Sequence, residues 1–370
     1  EMIRYWGYPI ETHDVITADG YILNLFRIPH GRASGANSSC YRPAILLVHG
    51  LGVSSPEWLM NPPESSPAYI FADTGFDVFL MNHRGSTYSK RHMTLMPWDN
   101  KYWQFTVDEL AKYDAPAVID KVLALTGQHA TYWVGNSQGT LTGFMALADT
   151  PAYNSKVKAL IQVGPVGSSY YSKGIFEFLI HGVYKYLKPI ADFYRVAFGA
   201  HEISQGIPLL FRPLIKLCLI IPLGREVCES VVHLSFGPVA PTFNTSRVGV
   251  YLSHAPSGTS TWNILHLAQN GLHRRVEHMD HNPLENLQRY GQETPTPYNY
   301  SNIVAPVYLF WGPNDWGTTQ DDVEKYLLKE LRNEVGSFEV PGYNHLDFML
   351  ATDNADKVWN PIVEIVRNLE

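Results

Sequence analysis

Charge is scarce in this chain. Of its 370 residues 17% are charged, against about 25% in an average soluble protein. That deficit excludes a disordered or coiled-coil chain. Basic charge is the scarcer sign: 28 Lys and Arg face 35 Asp and Glu, for a net charge of −7. Nucleic-acid binding draws its affinity from counterion release at a basic face, so no nucleic-acid partner is expected. Cysteine is rarer still. Three residues are too few for a disulfide scaffold, although the spacing of Cys218 and Cys228 allows a small closed loop, leaving Cys40 odd. Long apolar runs are missing as well. The nearest candidate, Leu214 to Leu223, contains Lys216 and Pro222 and falls short of the roughly 20 residues of a membrane span. It reads as a buried or interfacial segment. The chain opens at Glu1 without a basic and then apolar leader, so any signal peptide is expected to have been removed or left out. No G-x-G-x-x-G follows a strand and no Walker sequence occurs, so no nucleotide cofactor is expected.

What is abundant is apolar and aromatic surface. Hydrophobic residues make up 45% of the chain, with 22 Tyr, 16 Phe and 9 Trp. That suffices for a core and for an apolar pocket. At roughly 150 residues per domain the length fits two or three units, or one large α/β domain with an insertion.

Short apolar runs alternate with helical patterns, as in a parallel sheet with crossover helices. Strands are expected at Ala44 to Val48, Asp77 to Met81, Thr131 to Val134 and Val157 to Val163. Helical periodicity runs from about Val107 to Thr126, broken or tightened near Pro116, and again from Thr140 to about Ala148. The rhythm then stops. Lys173 to Phe198 reads as aromatic-rich helices, Ile207 to Leu223 as apolar segments cut by prolines, and Tyr251 to Asn270 as a further helix-like region. It resumes with a strand at Pro306 to Trp311, a helix at Gln320 to Leu331 and a strand at Ser337 to Val340. Ordinary connections take about 2–6 residues, so the interruption is an inserted subdomain.

Gly135-Asn-Ser-Gln-Gly139 matches G-x-S-x-G. A strand that turns sharply into a helix holds its central residue in a strained conformation at the sheet's C-terminal edge. The flanking glycines are required because strand and helix approach too closely for a β-carbon. The motif is followed by a helix and preceded by a strand, the context this chemistry needs. A serine hydroxyl is a weak nucleophile until a base takes its proton, and the base must be oriented by a carboxylate. In this architecture those partners follow the serine in the order acid, then histidine. Asp315 directly follows the strand ending at Trp311, and His345 follows the one ending at Val340. His49 and His83 also end strands but precede Ser137 and break that order. Asp321 and Asp322 read as helix N-terminal charges, and Asp347 as structural. Two amides are expected to receive an oxyanion: Leu51 N–H, from the loop His49-Gly-Leu-Gly52, and Gln138 N–H. His273, Glu277, His278, Asp280 and His281 fit no ligand spacing; a solvated helix-to-loop face is expected there, and no metal.

These motifs resemble the acid lipases of the gastric and lysosomal type, on the α/β-hydrolase fold. The resemblance runs nearly end to end, through Tyr8-Pro-Ile-Glu-Thr-His-Asp-Val-Ile-Thr-Ala-Asp-Gly-Tyr-Ile22, Arg27 to Gly31, His49-Gly-Leu51, Asn82-His-Arg-Gly85, Phe243 to Arg247, Tyr251-Leu-Ser-His254, Pro256 to Ser260 and Tyr343 to Phe348. It implies a mostly parallel central sheet with helices on both faces and a mainly helical cap and lid. The hydrolase core is expected at 1–167 and 301–370, with the cap and lid at 168–300. It implies Ser137 as nucleophile, Asp315 as acid, His345 as base, and Leu51 and Gln138 as oxyanion donors. It further implies a cap disulfide between Cys218 and Cys228 and a secretory destination, lysosomal or secreted. The sequons at Asn37, Asn244 and Asn299, inconclusive by themselves, then become glycan sites. Two positions depart from the family. Asn136 stands where a histidine usually precedes the nucleophile; its side chain is expected to point away from the reacting carbonyl and to change packing, not activity. Ser235-Phe236 occupies the stretch where a third cysteine is usual.

The expected activity is hydrolysis of fatty-acyl esters of neutral lipids, triacylglycerols or cholesteryl esters, at a lipid–water interface through an acyl-enzyme, without a cofactor. Two other readings remain at this stage. A serine peptidase or amidase on the same fold is disfavoured by the aromatic-rich cap, which has no evident acidic site for a peptide amino terminus. A non-catalytic lipid-binding module on a hydrolase scaffold is disfavoured because Ser137, Asp315 and His345 are all present. Oligomeric state is not encoded in any pattern recognised here.

Overall fold

The computed structural model describes residues 1–32, 41–203, 230 and 233–370. Nine strands form one sheet: β1 (Glu11–Ile16), β2 (Tyr21–Ile28), β3 (Ala44–Val48), β4 (Asp77–Leu80), β5 (Arg91–His92), β6 (Thr131–Asn136), β7 (Val157–Val163), β8 (Val307–Trp311) and β9 (Glu334–Glu339). Their order is β1-β2-β4-β3-β6-β7-β8-β9, with β5 paired to β2. From β4 through β9 every pairing is parallel, while β1, β2 and β5 pair antiparallel. The central strands are buried on both faces. This is why Ala44-Ile-Leu-Leu-Val48 is continuously apolar, whereas the outer β2 alternates buried and half-buried residues.

The principal helices are α1 (Pro67–Asp73), α2 (Ala115–Thr126), α3 (Gln138–Asp149), α4 (Lys185–Phe198), α5 (Thr261–His273) and α6 (Asn360–Leu369). The pleat sends alternate residues of β3 to opposite faces. Leu46 and Val48 join Val118, Ile119 and Phe144 of α2 and α3 in one core. Ile45 and Leu47 join Phe71 of α1 and Ile362 of α6 in the other. Trp359, fully buried just before α6, packs edge-on against both Trp58 and Phe71. Each such side chain removed from water contributes roughly 1.5–3 kcal/mol. The two layers therefore fix the sheet that carries the site.

The expected strands occur in place, with β6 extending to Asn136. The β1–β2 hairpin, β5 and α1 were not among the expected elements. The region from Val107, expected to be broken or tightened near Pro116, is instead continuous and widened: Leu110–Asp114 is a π-turn, with Ala115 N–H bonded to the Leu110 carbonyl. Proline has no N–H to continue the α pattern and its ring crowds the carbonyl four residues back, so a wider turn relieves the conflict. The helix-like stretch 251–270 is two helices, Val248–His254 and α5, separated around Ala255-Pro256. Between β7 and β8 the described residues add no strand to the sheet. The candidate positions Asn37, Cys40, Cys218 and Cys228, and the stretch 207–223, lie outside the described residues.

Candidate active site

β6 runs straight into α3, and Ser137 is the single residue between them. Its backbone sits at φ 52°, ψ −121°, a region that residues other than glycine rarely adopt. Neighbouring glycines make this turn feasible. A β-carbon on Gly135 would lie 2.6 Å from Gln162 Oε1 and 2.7 Å from the Gly139 carbonyl, and one on Gly139 would overlap the Val48 carbonyl oxygen. The bend lifts Ser137 Oγ to the carboxyl ends of β3, β6 and β8, where open parallel sheets place their ligands.

Three separate stretches of chain meet there. Ser137 Oγ lies 2.8 Å from His345 Nε2, and His345 Nδ1 lies 2.7 Å from Asp315 Oδ2. Asp315 is 1% exposed and satisfies its charge locally. Its Oδ1 accepts the Gly317 and Thr318 amides at 2.9 and 2.8 Å, and its Oδ2 accepts the Thr318 hydroxyl at 2.7 Å. Carboxylate hydrogen bonds of this kind are what permit a buried charge. Burial alone would push the His345 imidazolium towards neutrality. Attraction and hydrogen bonding to Asp315, with a smaller pull from Glu57, outweigh that and raise its pKa. Phe236 stacks on the His345 ring at 5.8 Å with planes 8° apart.

Gln138 opens α3, so its amide has no acceptor within the helix. Its side-chain Oε1 accepts from Asn263 Nδ2 of α5 at 2.7 Å. Gly50, next to Leu51, lies so near that a β-carbon on it would be 3.1 Å from Ser137 Cβ. The loop carrying the second expected amide thus borders the serine. Asn136 donates through Nδ2 to Glu57 Oε1 at 2.6 Å, beneath the turn. Glu57 was not singled out from the sequence. Its only signal there is an acidic residue in Pro56-Glu-Trp58, soon after the glycine-rich loop.

The remaining candidates fall elsewhere. Asp321 pairs with Lys325 on the surface. Asp322 is buried and accepts from the Ser168 hydroxyl; burial pushes its carboxyl up to about 6. Asp347 accepts the amides of Asn344 and Ala240, and burial likewise raises it to about 6. The group from His273 to His281 is not the solvated face expected. Glu277 is fully buried and accepts from Gln269, His273 and Arg275, and His281 is buried too. His278 faces Asp108 at 3.6 Å and Asp149 at 3.7 Å. Asp108 and Asp149, the carboxylates facing His278, come from distant helices, so spacing along 273–281 did not reveal them. Among the described residues no group of three or more His, Cys, Asp or Glu has a geometry that would hold a metal ion.

Two family models match this chain. Residues 1–62 match the family model of the partial α/β-hydrolase lipase region, and residues 43–202 that of the α/β-hydrolase fold. Lipase lipl-1 of Caenorhabditis elegans is 37% identical over 100% of this chain and 91% of its own length. Gastric triacylglycerol lipase of Bos taurus is also 37% identical, over 99% of this chain and 90% of its own. A solved structure, that of DcsB in complex with a substrate analogue, superposes with a TM-score of 0.58 at 15% identity. It covers 98% of this chain and 100% of that one, and shows the fold alone. The chain is an ester hydrolase and belongs to the gastric and lysosomal acid lipase family of the α/β-hydrolase fold.

Proposed function

We propose that this lipase cleaves fatty-acyl esters of neutral lipids, triacylglycerols first and cholesteryl esters as the neighbouring class, with Ser137 as nucleophile. The observation that carries the reading is the continuous chain of hydrogen-bonding distances, 2.8 Å from Ser137 Oγ to His345 Nε2 and 2.7 Å from His345 Nδ1 to Asp315 Oδ2. Ser137 Oγ attacks the ester carbonyl while His345 Nε2 takes its proton, and Asp315 keeps Nδ1 protonated and stabilises the imidazolium. The tetrahedral oxyanion is received by the amides of Leu51 and Gln138. His345 then gives its proton to the departing alcohol. Water repeats the sequence on the acyl-enzyme and releases the fatty acid. Full-length similarity to gastric triacylglycerol lipase supports the choice of substrate.

In this reading 1–167 and 301–370 form the hydrolase core and 168–300 the cap and lid, working at a lipid–water interface. The apolar residues Phe178, Ile190 and Phe193, each more than half exposed along the helical stretch that ends with α4, support contact with lipid. Cys218 and Cys228 pair in the cap, and Asn37, Asn244 and Asn299 carry glycans. Asn299, with an exposed side chain at the start of a 3-10 turn, is the most accessible of the described two. The protein travels the secretory pathway to a lysosome or out of the cell. No helix of the described residues is long and apolar enough to cross a membrane.

The test is Ser137→Ala, assayed on emulsified triolein and on p-nitrophenyl butyrate, with fluorophosphonate labelling of the unaltered chain. Loss of turnover with labelling mapped to Ser137 is expected. Retention of more than a trace of activity would remove Ser137 as nucleophile.

A further inference from the structure

One buried carboxyl stands beside the site without a part in the proton relay. Glu57 lies in the short 3-10 turn Ser55–Leu59, which follows the glycine-rich loop directly. It is only 8% exposed, and the next residue, Trp58, is fully buried. Glu57 Oε2 accepts the Gly50 amide at 3.0 Å, and Oε1 accepts Asn136 Nδ2 at 2.6 Å. A single carboxylate therefore joins two segments distant in sequence: the residue before Leu51 and the residue before Ser137.

Gly50 is held from its other side too. Its carbonyl is 2.8 Å from His49 Nδ1, while His49 Nε2 accepts the His83 amide at 3.1 Å. That second bond leaves the proton on Nδ1, so the ring donates to the Gly50 carbonyl. Burial pushes His49 down to about 4, which keeps it neutral in this role. The Gly50 carbonyl and the Leu51 N–H belong to one peptide plane and point in opposite directions. Glu57 pins the plane before Gly50 and His49 pins the plane after it. Between them they set the direction of the Leu51 amide. At the elbow, the tie to Asn136 braces the strand end from which the Gln138 amide projects.

The geometry points to Glu57 as a positioning residue of the oxyanion hole, its carboxylate holding the Gly50–Leu51 loop and the Asn136–Gln138 elbow in a fixed relation. This inference rests on the proposed role of Ser137. The chemistry of the donors explains the residue type. Two N–H groups converge on it, and a carboxylate accepts both, whereas a side-chain amide would turn a donor towards one of them. Desolvation is the cost: burial pushes Glu57 up to about 7 against the pull of Gly50, Asn136 and His345. With that value Glu57 is the carboxylate that accepts both N–H groups above about pH 7, so the two ties are complete on the alkaline side of neutrality.

The experiment uses the full chain with Glu57→Gln, and p-nitrophenyl butyrate as a soluble ester at about pH 8, where Glu57 is ionised. Exhaustive fluorophosphonate titration counts competent sites, so turnover is expressed per titrated Ser137. A displaced amide costs less than a deleted one, which lowers kcat roughly 100- to 1,000-fold. The expected result is a fall in kcat of about 10- to 100-fold with KM within twofold, and a parallel fall in phosphonylation rate. A purely structural role would lower melting temperature and the titratable fraction but leave kcat per site intact. A fall of less than tenfold per site, or a change confined to KM, overturns the inference. Should the variant not fold, Asn136→Ala cuts one tie without opposing two donors; a kcat per site within twofold of the unaltered chain overturns it equally. Absence of labelling in the unaltered chain would instead be a failure of the Ser137 reading.

Discussion

The Thr318 hydroxyl and the His345 ring share one oxygen of Asp315: Oδ2 lies 2.7 Å from Thr318 Oγ1 and 2.7 Å from His345 Nδ1. Thr318 also gives its amide to Oδ1. One residue thus holds both oxygens and fixes the plane in which the carboxylate meets the imidazole. Thr318→Val keeps the volume and the amide and deletes the hydroxyl. A hydrogen bond to a charged group contributes about 1.5–3 kcal/mol, some of which orients Asp315. The expected outcome is a fall in kcat of roughly 3- to 30-fold per titrated site, with the fluorophosphonate titre unchanged. Steady-state kinetics on a soluble ester measures it, and turnover equal to that of the parent would show that the amides alone orient Asp315.

The glycines around the elbow differ sharply in what they tolerate. A β-carbon on Gly139 would run into the Val48 carbonyl, a backbone atom in the middle of the sheet, whereas one on Gly127 meets nothing within 4 Å. Gly127 closes α2 in the left-handed region at φ 67°. Gly127→Ala therefore has only backbone strain to bear, about 1 kcal/mol. Gly139→Ala must separate α3 from β3 and is expected to cost ~3 kcal/mol or more. Thermal melting of the two variants should rank them in that order, and equal melting temperatures would contradict the close approach.

Legibility followed the range of the interactions involved. β3, β6 and β7 are short apolar runs ended by glycine or a turn, and burial on both faces makes such runs stand out. Ser137, Asp315 and His345 were legible because each directly follows a strand, and chain order narrowed the choice. β1 and β2 were harder to see, since their half-buried alternation mixes Asn24 and Arg27 among apolar residues. Glu57 was invisible for another reason: both its partners are set by tertiary contact, and nothing within Ser54 to Leu59 specifies them. The His278 cluster shows the same limit. A run of His and acidic residues between 273 and 281 reads as polar surface until Asp108 and Asp149 are brought against it by the packing of two other helices.

That cluster makes stability depend on pH with a definite sign. Burial would lower the pKa of His278, but hydrogen bonding and attraction to Asp108 and Asp149 overcome it and raise the ring to about 9. Asp108 is correspondingly held well below the usual carboxylate range despite its burial, by His266 and His278. The attraction between Asp108 and His278 contributes to both shifts and is counted once. In the unfolded chain a histidine titrates near 6.5, so the folded state binds the extra proton between that value and about 9. The stabilisation is complete below pH 6.5 and is lost as pH rises through 9. Allowing for screening at the partly exposed Asp149, it amounts to about 2 kcal/mol. His278→Gln removes the titrating group and leaves a ring-free polar side chain among Asp108, Tyr290 and Tyr298. The expected result is a melting-temperature gap between parent and variant that is widest at pH 6 and narrows by about 3 °C towards pH 9.5. Calorimetry across that range measures it directly; a gap constant with pH would mean that His278 is neutral in the folded protein and packs there without a charge.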